Sequence, residues 1–299
     1  MGATSSVVTH KLDLRKKDLS YDTFEQHMAI VGDKSLARLR ELRLCRNKLS
    51  ALPPRVQVMA ALVDLRVTDN WLKYLPDATR EMTNLESLRV GGNQLVSIDQ
   101  IMPPEIRAAK TQLTEEGGPQ EKYTKVGPYK TLRTLRFGQN RVSRLPLNFA
   151  RLFVNLRTLV ANKNGIAVLP VDIWDLPLLE VLVLSKNELM TLPPVNNTKI
   201  RLRCLVLSKN KFEEVPQSVG RIKLLQKLYL DNNRIENLPK ALGALKYMYK
   251  LDMSMNKLTG DVVLHSGLLK SATLTQVCLL AAVLFDVASH SYSSFVPCS

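Results

Sequence analysis

The sequence predicts an α/β solenoid, a stack of coils in which each coil adds one short strand to a parallel ladder on a concave face. A short helical or irregular segment from each coil covers the convex face. Three observations predict it. Asparagine recurs at Asn47, Asn70, Asn93, Asn140, Asn164, Asn187, Asn210, Asn233 and Asn256, at intervals of 23 or 24 residues except for one of 47. Apolar residues precede each asparagine in the spacing L-x-x-L-x-L, as in Leu62, Leu65 and Val67, and another follows two residues later, as in Leu49, Leu189 and Phe212. Prolines keep the same period at Pro53, Pro76, Pro146, Pro170, Pro193, Pro216 and Pro239, each behind an apolar residue.

The stretch 179–192 shows how one coil works. Leu182 and Leu184 alternate like a half-buried strand. Asn187 sits where the chain must turn, and Leu189 and Leu192 lead back inside. Such a unit cannot bury its own apolar face, so it must stack on copies of itself. A buried asparagine can satisfy backbone groups that the turn leaves unpaired, which would otherwise cost about 1–3 kcal/mol each. Proline fixes the chain direction after the strand and cannot extend the ladder. This is the leucine-rich repeat pattern, and the L-P type of 23-residue unit resembles that of intracellular leucine-rich repeat proteins.

Taken in order, residues 1–9 read as a flexible lipidation segment. They begin MGATSS, and Gly2 with Ser6 meets the N-myristoylation pattern M-G-x-x-x-[ST]. One acyl chain binds membranes only marginally, and the candidate second signal is the basic group Lys11, Arg15, Lys16 and Lys17. Residues 10–38 read as an N-terminal cap in which Lys17 replaces the asparagine. Phe24, Met28 and Ile30 or Val31 suggest a short helix there. The solenoid proper is expected over 39–273, with about nine regular repeats. It is broken near 99–130, where Pro103, Pro104, Gly117, Gly118, Pro119, Gly127 and Pro128 interrupt any regular element. Two readings stand for that break, an insertion emerging on one face or a decayed repeat. The apolar run 274–285 is too short to span a bilayer and is expected to be a capping strand, followed by a loose serine-rich tail over 286–299.

Composition narrows the function. The chain has 299 residues, 45% hydrophobic, with a net charge of +15, which suits an acidic partner or an anionic membrane surface. The cysteines Cys45, Cys204, Cys278 and Cys298 are scattered, and no secretory signal opens the chain, so it reads as intracellular. His10, His27, His265 and His290 are dispersed, and neither zinc spacing nor a phosphate-binding glycine loop appears. Catalysis, cofactors and metals are therefore not expected. Nucleic-acid binding would join basic side chains to exposed stacking aromatics, and aromatics are only 6% of the chain. A purely membrane-surface protein is the other alternative.

The two ends sharpen the resemblance. A myristoylation-type start, the half-repeat K-L-D-L-R-K-K-D-L, the L-P repeats and the closing Q-V-C-L-L-A from Gln276 to Ala281 together resemble the leucine-rich repeat-containing protein 57 family. That resemblance implies a small cytosolic protein, attached to membranes through an N-terminal lipid and without catalysis. The chain departs from the family pattern at 99–130, and again after Ala281, where the expected asparagine turn is missing.

A protein partner is expected on the concave face. The outward residue between the last two strand leucines reads Arg43, Arg66, Arg89, Arg136, Val160, Val183, Val206, Tyr229 and Asp252. Val181 and Cys204 extend the apolar half. Arginine pairs bidentately with carboxylate or phosphate, and exposed apolar patches mark contacts. The partner segment is thus expected to be part apolar and part acidic or phosphorylated. Glu41 and Asp64 stand ready to neutralise Arg43 and Arg66, whereas Arg89 and Arg136 have only Ser87 and Thr134 beside them. A row of Lys163, Lys186, Lys209 and Lys211 near the turns reads as solvated.

Overall fold

The computed structural model describes residues 10–75, 82–98, 130–197, 199–258 and 274–278. Gly2, residues 99–129 of the break, residues 279–285 and the tail lie outside them. The chain divides into two compact units, Met1–Arg141 and Val142–Ser299.

In the first unit, β1 (Lys11–Asp13), β2 (Glu41–Arg43), β3 (Asp64–Arg66), β4 (Ser87–Arg89) and β5 (Thr134–Arg136) pair in chain order, all parallel. β4 and β5 pair directly, Leu88 opposite Leu135, although their asparagines are 47 residues apart in sequence. In the second unit, β6 (Thr158–Val160), β7 (Val181–Val183), β8 (Cys204–Val206), β9 (Lys227–Tyr229), β10 (Lys250–Asp252) and β11 (Gln276–Cys278) do the same. Side chains alternate across a strand, so the strands from β2 to β10 bury their middle residue and leave the flanking two half-exposed or, at Arg136, exposed, while the end strands β1 and β11 have half-buried middle residues. Leu42, Leu65, Leu88 and Leu135 are fully buried in the first unit, and Leu159, Leu182, Leu205, Leu228 and Leu251 in the second.

The asparagines tie coil to coil. Asn187 accepts the Ile166 amide at 3.1 Å, and its own amide donates to Ala161 O at 3.0 Å and Leu184 O at 2.9 Å. The same bonds recur one coil on, where Asn210 accepts from Leu189 and donates to Leu184 O and Leu207 O. Asn47 serves the cap in the same way, accepting from Lys17 and Leu19. One side chain thus satisfies both its own turn and the coil before it, which makes stacking and turn formation a single event.

The residue immediately before each asparagine has left-handed backbone. Arg46, Asp69, Gln139, Lys163, Lys186, Lys209, Asn232 and Met255 have φ between +53° and +59°, and Gly92 takes the same place at +63°. A left-handed L-residue costs roughly 1–2 kcal/mol. The cost is held in place by the asparagine bonds and by amide-to-carbonyl bonds such as Lys186 N to Ser208 O at 2.9 Å.

At the start of the first unit, α1 (Tyr21–Val31) opens on a capping box formed by Ser20 and Thr23. Phe24 and Met28, four residues apart on one helix face, are buried. Of the alternatives Ile30 and Val31, Val31 is half-buried and Ile30 is 84% exposed, because two residues of helix turn Ile30 to the face opposite Met28. On the side away from the ladder, Pro53, Pro170, Pro216 and Pro239 lead into 3-10 turns at Pro54–Val58, Val171–Asp175, Gln217–Arg221 and Lys240–Ala244. Gly220 lies against the next such turn: a Cβ there would stand 2.8 Å from the Ala241 carbonyl oxygen.

Candidate functional site

The arginine column is real and in register. Arg43 lies opposite Arg66, Arg66 opposite Arg89, and Arg89 opposite Arg136. Neighbouring strands stand about 4.8 Å apart, so the like charges would repel unless neutralised. At one end they are neutralised. Arg43 Nε donates to Glu41 Oε1 at 2.5 Å, and Arg66 Nη2 donates to Asp64 Oδ2 at 2.6 Å and lies 3.4 Å from Glu41. In β1 the column holds Asp13 instead. The Arg15 side chain bonded to it holds the Asp13 carboxyl at about 2, far below the ordinary carboxylate value.

At β4 and β5 the carboxylates stop. Arg89 Nε finds only the Ser87 hydroxyl, at 3.3 Å, and Arg136 is exposed with no carboxylate partner among the described residues. Burial pushes the Arg89 guanidinium below its ordinary pKa, and the charges of Arg66 and Arg136 push it further, against some help from Asp64. The column is therefore polarised, with paired charge over β2 and β3 and unpaired charge over β4 and β5.

Beside the paired end lies a cleft of about 600 Å³ lined by Asp13, Arg15, Lys16, Lys17, Arg43, Cys45, Arg46, Arg66, Thr68 and Asp69. Most of its cations are engaged: Arg15 with Asp13, Arg43 with Glu41, Arg66 with Asp64, and Arg46 with Asp69 at 3.6 Å.

In the second unit the same column is apolar. Val160, Val183, Val206 and Tyr229 stand opposite one another in sequence, with Thr158, Val181, Cys204 and Lys227 as a second column. All eight are half-buried. Two lysines close the apolar strip by crossing over aromatic rings, Lys250 Nζ at 5.5 Å from the Tyr229 centroid and Lys227 Nζ at 5.6 Å from that of Tyr249. Bonding to Tyr249 raises the Lys227 ammonium, and burial raises the Cys204 thiol, which leaves that thiol protonated and unreactive. Of the turn lysines, Lys163, Lys186 and Lys209 are exposed, while Lys211 is ion-paired with Glu188.

Sequence reasoning missed one part of this site. Two residues beyond each column position lies an amide that faces no neighbouring strand. Asp13 accepts that amide, Arg15 N, at 3.3 Å, and Asp252 accepts its equivalent, Ser254 N, at 3.1 Å. After Arg89 the equivalent residue is Gly91, and after Arg136 it is Gly138. Aligning the coils on their asparagines would have exposed this pair of glycines.

Among the described residues no group of three or more His, Cys, Asp or Glu side chains could hold a metal ion, and no helix is long and apolar enough to cross a membrane. Cys45 and Cys204 are free thiols, whereas Cys278, on the last described strand, is disulfide-bonded.

Residues 224–245 match the family model for the Leucine Rich Repeat. No curated protein matches the chain significantly. The fold is shared with a chain from the octameric complex of Latrophilin 3, Unc5D and the leucine-rich repeat part of FLRT2, at 19% identity and a TM-score of 0.65 over 97% of this chain and 83% of that one. It is shared also with a TDR receptor, at 20% identity and a TM-score of 0.61 over 90% of this chain and 46% of the receptor chain. The repeat match and these likenesses agree with the parallel ladders: the fold is a leucine-rich repeat solenoid.

Proposed function

We propose that this chain is a non-catalytic interaction module that holds a segment of a partner protein against the outward faces of its strand ladders. The observation that carries this is the in-register arginine column whose paired carboxylates end at β3, leaving Arg89 and Arg136 without an ion-pair partner among the described residues. The half-buried strip of Val160, Val181, Val183, Val206 and Tyr229 supports an apolar contribution from the partner. FLRT2, with its leucine-rich repeat part, is itself part of a protein assembly, which is the kind of use proposed here.

The test is capture of partners from lysate by the intact chain. Arg89→Glu with Arg136→Glu abolishes capture while leaving the unfolding transition in place; unchanged capture removes these arginines from the site. Arg43→Ala, which takes away an arginine already paired with Glu41, serves as the comparison.

Two further parts of this reading rest on sequence alone. An intracellular chain of the leucine-rich repeat-containing protein 57 type would carry a myristoyl group on Gly2 and sit loosely on membranes. Intact-mass measurement of the chain expressed in eukaryotic cells then shows an acyl adduct that disappears in Gly2→Ala. An unmodified mass ends the membrane part and leaves the interaction module standing.

A further inference from the structure

The chain itself shows where an anion sits on its ladder. In β1 and β10 the column residue is aspartate, and its carboxylate receives the amide two residues on: Arg15 N to Asp13 Oδ1 at 3.3 Å, and Ser254 N to Asp252 Oδ1 at 3.1 Å. In β10 the Ser254 hydroxyl adds a second bond to the same oxygen at 2.8 Å. The place beside that amide is therefore an anion position wherever the column supplies one.

In β4 the column supplies a cation. Arg89 precedes Gly91, whose amide has no acceptor among the described residues, and Gly91 carries no side chain to cover it. Arg136 stands directly opposite Arg89, exposed and with no carboxylate partner among the described residues, and the Ser87 hydroxyl lies beside the Arg89 Nε. Two guanidinium forks, one amide and one hydroxyl thus belong to two neighbouring strands, at the register where β1 and β10 place a carboxylate.

We infer that Arg89, Arg136 and the Gly91 amide bind the phosphate of a phosphorylated serine or threonine in the partner protein. This rests on the interaction reading given above and names its ligand. A carboxylate is planar and is filled by one guanidinium fork. A phosphate monoester carries close to two charges and presents three acceptor oxygens in a tetrahedron, enough for two forks and an amide together. The neighbouring strands select against long polyanions. Glu41 and Asp64 neutralise Arg43 and Arg66 on β2 and β3, so a nucleic acid or a densely anionic membrane laid along the ladder would find no free column arginine there. A peptide with one phosphate over β4 and β5 and neutral residues over β2 and β3 fits that distribution.

The experiment measures binding of the full chain to a degenerate phosphoserine and phosphothreonine peptide pool, to the same pool without phosphate, to vesicles containing a phosphoinositide, and to a single-stranded oligonucleotide. The phosphorylated pool binds at least tenfold more tightly than the unphosphorylated one. Arg89→Asp, which puts the chain's own carboxylate where β1 and β10 have it, abolishes that preference with the unfolding transition intact. Arg89→Lys with Arg136→Lys keeps the charge, loses the forks and lowers the preference at least threefold. Equal binding of the two pools, a preference untouched by Arg89→Asp, or tighter binding of vesicles or oligonucleotide each overturns the inference. Partner capture that needs Arg89 and Arg136 but survives phosphatase treatment of the lysate overturns the phosphate while sparing the interaction module. Loss of both would take down the two together.

Discussion

The asparagine is the residue on which each coil depends most. Removing the side chain of Asn187 orphans the Ile166 amide inside the stack and takes one of two donors from Ala161 O and Leu184 O, which keep Asn164 and Asn210. An orphaned buried amide costs about 1–3 kcal/mol, and local relaxation recovers part of that. Asn187→Ala is therefore expected to lower stability by about 1–3 kcal/mol, read as a shift of the urea midpoint. Asn256→Ala, at a part-buried position with the same kind of bonds, loses less. Equal and negligible losses at both sites would mean that the turns hold without their side chains.

Among elements, the 3-10 turns set how closely coils approach on the side away from the ladder. Gly220 is a close approach of this kind: an added Cβ would press on the Ala241 side chain and stand 2.8 Å from the Ala241 carbonyl oxygen. Gly220→Val should cost about 1–3 kcal/mol by overpacking. Gly165→Ala, whose Cβ would make an ordinary contact of 3.8 Å with Val142 O, should leave the thermal midpoint nearly unchanged. If the two variants melt alike, the spacing of the turns is softer than the backbone contact implies. The strands and turns were legible in sequence because their leucines and asparagines recur with a fixed period. The face of α1 was not fully legible: Phe24 and Met28 mark it, but Ile30 is apolar and exposed, and only the helix rotation separates them.

For the molecule as a whole, the division of the outward column into arginines and apolar residues was readable from sequence, since column positions follow directly from the repeat. Pairing was partly readable. Glu41 and Asp64 do engage Arg43 and Arg66, because a residue two positions along a strand points to the same face. The glycines at 91 and 138 were readable by aligning the coils, but the open amide at Gly91 was not, because a sequence does not show which backbone groups the ladder leaves without an acceptor. The net charge of +15 pointed to an anionic partner without saying where. Within the column, the geometry localises the unpaired charge among the described residues to β4 and β5, since Arg43 and Arg66 are paired.

The left-handed residue before each asparagine has a consequence for how this protein can change. That rim position is occupied by cations, an acid, amides, a thioether and a glycine (Arg46, Asp69, Gly92, Gln139, Lys186, Asn232 and Met255 among them), yet never by a β-branched residue or proline. Sterics forbid branching at that backbone conformation and are indifferent to what hangs further out. Charge along this border can be rewritten, Lys186→Glu for instance, with the coil beneath undisturbed. Evolution, or an engineer, thus has a line of sites where the electrostatic character of the molecule is free to drift while its architecture is not.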